Sequence, residues 1–111
     1  MLFRSIVIRG GENIGCAEVE YAITEHPAVS EVSVYGIPDE RLGEVLCASI
    51  MLREDSQLEA PELKQFLAEK IAGFKIPELL YFQYQQLPRI AAGKIAKKQL
   101  RQETIDSLSS R

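Results

Sequence analysis

The hydrophobic positions of this chain switch between strand-like and helix-like spacing, which predicts both kinds of element. A β-branched run at 5–9 reads as a strand and is followed by two glycines. Apolar residues at 16–23 then recur with helical spacing, until Pro27 ends the helix. Two further strands are predicted at 29–37 and 45–52. The second is apolar on both faces, which is typical of a central strand covered from both sides.

The second half of the chain predicts a helix starting near Pro61, a strand at 79–84 and a last helix starting near Ile95. We expect its end, 102–111, to fray. The resulting order is β-α-β-β-α-β-α. It predicts a single α+β domain over 1–111: a small mixed or antiparallel sheet of about three strands packed with helices, after a short N-terminal β element. A domain that starts in a strand is expected to continue upstream, which makes residues 1–5 a boundary.

Composition and charge remove several classes of function. The 111 residues carry 13 basic and 16 acidic side chains, a net charge of −3, whereas a dedicated nucleic-acid binder is usually basic. Cys16 and Cys47 match no metal-ligand spacing and are expected to be small buried hydrophobes in a reducing compartment. No apolar run is long enough for a membrane span, and no secretory signal is present. We therefore expect no metal site, no nucleic acid, no membrane span and a cytoplasmic location.

Two segments could bring backbone or charge to an anion. Gly10 and Gly11 follow the first strand and could present free N–H groups to a ligand, although taken alone they are better explained by a turn that needs positive φ. Lys94 follows a glycine at the end of a segment rich in small residues and could reach a phosphate or a carboxylate. A solvated lysine at a helix entry is the alternative.

A cluster of positive charge surrounds that lysine in an otherwise acidic chain. Five basic residues and no acid lie between 89 and 101: Arg89, Lys94, Lys97, Lys98 and Arg101. They could attract a nucleotide, a coenzyme phosphate or RNA, or simply form a solvated helix face. Phe74 beside Lys75 could stack on a base while the lysine meets a phosphate, but a lone phenylalanine is more often part of a core.

The segments form an ordered set that resembles a known family. The set consists of 6–14 with 18–20, then 26–29, 36–44, 73–77, 87–89, 93–95 and 100–101. In this order they resemble the C-terminal domain of the adenylate-forming (AMP-binding) superfamily, and most of all that of acyl-CoA synthetases. The resemblance covers nearly the whole chain.

The resemblance implies a lid domain that works with an N-terminal AMP-binding domain of the same parent chain. Such a parent converts a carboxylic acid, ATP and coenzyme A to acyl-CoA, AMP and pyrophosphate, with Mg²⁺ as cofactor. Lys94 matches the lysine that serves adenylate formation. No cofactor is expected to bind this piece alone, which we expect to be inactive by itself.

The resemblance also assigns the remaining site residues. It implies that six residues line the channel for the coenzyme A thiol or contact the nucleotide end of the coenzyme: Arg9, Gly10, Gly11, Glu12, Phe74 and Lys75. Arg4 and Ser5 occupy the hinge positions. Two alternatives remain: the corresponding part of a nonribosomal-peptide-type adenylation domain that loads a carrier protein, and a stand-alone anion- or RNA-binding module.

Overall fold

The computed structural model describes residues 6–9 and 12–109. Its elements follow the predicted order with two additions, a second short strand and a 3₁₀ turn. They are β1 (Ile6–Arg9), β2 (Glu12–Gly15), α1 (Cys16–Thr24), β3 (Val29–Asp39), β4 (Gly43–Leu52), α2 (Ala60–Ala68), a 3₁₀ turn (Gly73–Lys75), β5 (Leu79–Gln83) and α3 (Lys97–Ser109).

The sheet is built around β4. This strand pairs antiparallel with β3 on one side and parallel with β5 on the other. The hairpin of β1 and β2 joins the sheet through one pairing, Arg9 with Gly43. The α+β class and the three-stranded mixed sheet are therefore confirmed. β2 was not predicted as a separate strand, because its four residues contain one apolar side chain, Ile14, and show no alternation.

The prediction of a central strand covered on both sides is also confirmed. Even-numbered residues of β4, such as Leu46 and Ile50, belong to the core shared with α1 and α2. Odd-numbered residues, such as Val45 and Cys47, pack in a second core with Leu100 of α3. Because alternate side chains of a strand point to opposite faces, the continuous apolar run of β4 supplies both cores.

α3 begins slightly later than predicted. It begins at Lys97 because Ile95 is taken up in an antiparallel bridge with Arg89. It continues to Ser109. Thr104 is buried, and its hydroxyl lies 2.8 Å from that of Tyr35 in β3, so this part of the helix is held against the sheet.

Candidate functional site

Lys94 lies at the end of a small hairpin loop rather than at a helix entry. The Gly93 N–H donates to the Ile90 carbonyl (2.9 Å), and the Ile90 N–H donates to the Lys94 carbonyl (2.8 Å). Gly93 has φ of +79°, the left-handed conformation that this position of a three-residue hairpin loop requires. The Arg89–Ile95 bridge closes the loop beneath. The segment is therefore an ordered loop that carries a lysine at a defined place.

The Lys94 side chain is exposed and has no ion pair or hydrogen bond within 6–9 and 12–109. An unpaired ammonium on a hairpin can meet an anion that is presented from outside the domain. Such a point charge suits phosphate and carboxylate oxygens. The exposed, unpaired ammonium thus meets the physical requirement for the role predicted for Lys94 in adenylate formation.

The rest of the basic cluster is largely engaged within the domain. Three of its five residues have partners: Arg89 pairs with Glu31, Lys97 with Glu20 (3.0 Å), and the Arg101 Nε donates to the Gly36 carbonyl (2.7 Å). Lys94 and Lys98 are exposed and have no partner among the described residues. Two isolated lysines make a poor electrostatic surface for RNA, so the structure weakens the reading of this cluster as a nucleic-acid interface.

Phe74 and Lys75 lie together on the 3₁₀ turn. The Phe74 side chain is 37% exposed, which excludes its interpretation as a core residue. The Lys75 Nζ lies 5.8 Å from the centre of that ring and 2.9 and 3.0 Å from the two Glu18 carboxylate oxygens. The ring is exposed, whereas the Lys75 side chain is 25% exposed and paired with Glu18, so a phosphate bound beside a base stacked on the ring would have to compete with that carboxylate.

Glu18 was not singled out from the sequence as a site residue. It lies in the first turn of α1, and its partner Lys75 follows 57 residues later. A partnership over this separation depends on how α1 packs against the 3₁₀ turn. No local spacing could have indicated it.

The predicted thioester channel falls at the connection of the N-terminal hairpin. The last pair before the connection joins the backbones of Arg9 and Glu12. The remaining predicted residues of this region lie outside the described residues: Gly10 and Gly11 of the loop, and Arg4 and Ser5 of the hinge.

The hairpin is held on the body of the domain by two close contacts. The Ile8 N–H donates to a Glu44 carboxylate oxygen at 3.1 Å. Val7 is buried and covers Gly36, where a Cβ would come within 2.8 Å of the Val7 Cγ2. The close approach of Val7 therefore requires glycine at position 36. The contacts of the hairpin with β3 and β4 determine where its Arg9–Glu12 end lies.

The buried titratable groups are parts of the core. Cys16 and Cys47 are buried thiols, as predicted. Burial raises the pKa of Cys47 to about 11 and raises that of Tyr35 above its ordinary value. Because the thiolate is the nucleophile, such a thiol is unreactive near neutral pH. His26 accepts the Ala28 N–H through Nδ1 (3.1 Å) just after α1.

No enclosed reaction chamber is built from these residues. A surface depression of about 480 Å³ near the start of β3 and the end of β4 is lined by none of the predicted site residues. Within 6–9 and 12–109, no three His, Cys, Asp or Glu side chains are grouped so as to hold a metal ion. None of the helices described is long and apolar enough to span a bilayer.

Comparison with known proteins decides the family. The model of the AMP-binding enzyme C-terminal domain family matches residues 18–94, which include Lys75 and end at Lys94. The chain belongs to this family. As a member of the AMP-binding enzyme C-terminal domains, it has the fold of their solved structures. A fatty acyl CoA synthetase of Mycobacterium tuberculosis superposes with a TM-score of 0.81 at 34% identity, covering 89% of this chain and 19% of that one.

Further relatives are also named as acyl-CoA ligases or synthetases. A mitochondrial medium-chain acyl-CoA ligase of Danio rerio is 42% identical over 91% of this chain and 16% of its own length. An acyl-CoA synthetase of Brucella canis superposes with a TM-score of 0.85 at 27% identity, over 94% of this chain and 20% of its own. The chain thus spans about a fifth or less of the proteins that it matches, in each of which it corresponds to one part of a larger enzyme.

Proposed function

We propose that this domain is the lid of an acyl-CoA synthetase and that it supplies the lysine for adenylate formation. The observation that carries the proposal is Lys94, an exposed ammonium with no partner among the described residues, on an ordered hairpin loop. The relatives named as acyl-CoA ligases and synthetases support this choice of reaction. The partner is an N-terminal AMP-binding domain, and the substrates are a carboxylic acid, ATP and coenzyme A.

The first half-reaction explains why a lysine is needed. A carboxylate oxygen attacks the α-phosphorus of ATP, forming the acyl–phosphate bond as pyrophosphate leaves. Two anions must approach each other, and negative charge grows on the phosphate oxygens in the transition state. A cation placed between them offsets the repulsion, and it acts most strongly where water is excluded. Lys94 would be that cation once the lid closes on the larger domain.

The second half-reaction uses a different part of the domain. The coenzyme A thiol attacks the acyl carbon and AMP leaves. The Arg9–Glu12 end of the N-terminal hairpin would line the path of the thiol, with Gly10 and Gly11 keeping that path free of side chains. Phe74 and Lys75 would meet the nucleotide end of the coenzyme, because an exposed ring and an ammonium lie side by side there, and a phosphate would compete with Glu18 for the ammonium.

The proposal is tested on the full-length parent enzyme with Lys94→Ala and, as a matched control, Lys98→Ala. Both lysines are exposed, without a partner among the described residues, and belong to the same basic cluster. Adenylation is followed by pyrophosphate exchange with octanoate, a medium-chain probe chosen after the Danio rerio relative. Thioester formation is followed separately, from preformed octanoyl adenylate and coenzyme A.

We expect Lys94→Ala to slow adenylation about a hundredfold or more, equivalent to a loss of about 3 kcal/mol of transition-state stabilisation, and to leave thioester formation intact. Lys98→Ala should leave both steps unchanged. Equal losses in both steps, or equal effects of the two substitutions, would overturn the proposal. The 111-residue chain by itself should form no acyl-CoA, and we also propose a cytoplasmic location for the parent.

A further inference from the structure

A carboxylate on β3 holds the stem of the hairpin that carries Lys94. Glu31 forms an ion pair with Arg89, and it also accepts the Leu87 N–H at 3.4 Å. Both side chains of the ion pair are largely shielded, with exposures of 27% for Arg89 and 20% for Glu31. Leu87 is 1% exposed, so the chain enters the hairpin from a buried anchor.

The contacts continue from Arg89 to the lysine. Arg89 is bridged across the hairpin to Ile95, the residue that follows Lys94. The Ala96 N–H then closes the stem by donating to the Pro88 carbonyl at 2.7 Å. A short two-stranded hairpin is marginal by itself in water and needs packing or a tether. The Glu31–Arg89 pair is such a tether, because it joins the hairpin to the longest strand of the sheet.

The far side of the hairpin has a second attachment. Lys97, the first residue of α3, pairs with Glu20 of α1 at 3.0 Å, and Glu20 also accepts the Val34 N–H at 2.8 Å. The chain is thus attached through carboxylates on both sides of Lys94. The exposed tip between them keeps its backbone position while the ammonium stays accessible.

We propose that Glu31 is a positioning residue for adenylate formation: through Arg89 it fixes the hairpin that presents Lys94. This inference rests on the proposed function. A cation stabilises the transition state only when it is held at the developing charge, and a displacement of about 1 Å can cost on the order of a hundredfold in rate. Glu31→Gln leaves the Arg89 guanidinium without its counterion and loosens the stem.

The experiment uses the full-length enzyme and the same two half-reaction assays. Glu31→Gln should lower the adenylation turnover about tenfold and leave thioester formation unchanged, since Lys94 serves the first step alone. Glu25→Gln is the matched control, because it breaks a comparable surface pair, Lys70–Glu25 (3.4 Å), on another part of the domain. It should leave both half-reactions unchanged.

Variants of the partner separate positioning from general stability. Arg89→Lys keeps a cation for Glu31 and should retain most of the adenylation rate, whereas Arg89→Met should lose as much as Glu31→Gln. The double variant Glu31→Gln/Arg89→Met should lose no more than either single variant, because both remove one interaction. Hydrogen exchange should accelerate in peptides covering 87–96 of Glu31→Gln and remain unchanged in those covering 29–39.

Three results would overturn the inference: an unchanged adenylation rate in Glu31→Gln, equal losses in both half-reactions, or additive losses in the double variant. The Lys94→Ala variant shows whether the positioning role of Glu31 or the proposed function has failed. If Lys94→Ala impairs adenylation selectively while Glu31→Gln is harmless, only the positioning role of Glu31 is wrong. If Lys94→Ala shows no selectivity, the proposed function itself fails.

Discussion

The hydroxyl of Tyr35 joins α3 to the sheet, and we expect its removal to weaken the whole domain. Tyr35 is 1% exposed, and its oxygen lies 2.7 Å from the Ser49 hydroxyl and 2.8 Å from that of Thr104. Ser49 belongs to β4 and Thr104 to α3, so this one hydroxyl links the sheet with the helix that follows the Lys94 hairpin. Tyr35→Phe removes both hydrogen bonds and keeps the ring.

The expected loss follows from the two bonds and their burial. Each hydrogen bond contributes a net ~1 kcal/mol, and a buried hydroxyl left without its partner adds a desolvation cost of about 1 kcal/mol or more. Since Ser49 and Thr104 are both buried, we expect Tyr35→Phe to lower the free energy of unfolding by about 2–3 kcal/mol. For a domain of this size, the melting temperature would fall by roughly 10 °C or more.

The measurement is urea unfolding of the 111-residue chain, followed by far-ultraviolet circular dichroism. Tyr21→Phe is the matched control, because that ring is 70% exposed and the same oxygen atom is removed. Its effect should stay within about 0.5 kcal/mol. A loss of less than that for Tyr35→Phe, or equal losses in both variants, would refute the account of the hydroxyl as a link between helix and sheet.

Three further results are expected. Gly36→Ala should lower the free energy of unfolding by about 1–3 kcal/mol in urea titrations, because the new methyl group would clash with Val7; an unchanged midpoint would contradict the tight docking of the hairpin. The free energy of unfolding should fall as pH rises between about 8.5 and 11, because the unfolded Cys47 thiol ionises before the folded one; a curve equally steep in Cys47→Ala would refute this cause. Glu18→Gln in the full-length enzyme frees Lys75, so it should lower KM for coenzyme A about two- to fivefold and leave KM for pantetheine, which lacks the nucleotide, unchanged. An equal effect on both thiols would contradict a contact between Lys75 and the nucleotide.

The local elements could be predicted from the chain because their signals are local. Helical spacing at 16–23 yields α1, and the continuous apolar run of β4 yields a strand with two apolar faces and therefore two cores. Lys94 was found in the same way, because a lysine after a glycine in a segment of small residues stands out in an acidic chain. The ordered set of motifs indicated the family, which the family comparison then confirmed.

The partners of the charged residues depended on the tertiary structure. Glu31 and Arg89 are 58 positions apart, and Glu18 and Lys75 are 57 apart, so their meeting depends on how the helices and loops pack on the sheet. The same packing decided which basic side chains are engaged and left Lys94 exposed. Spacing along a chain specifies which face of a helix or strand a side chain occupies. The element that lies opposite that face is determined only when the whole sheet has formed.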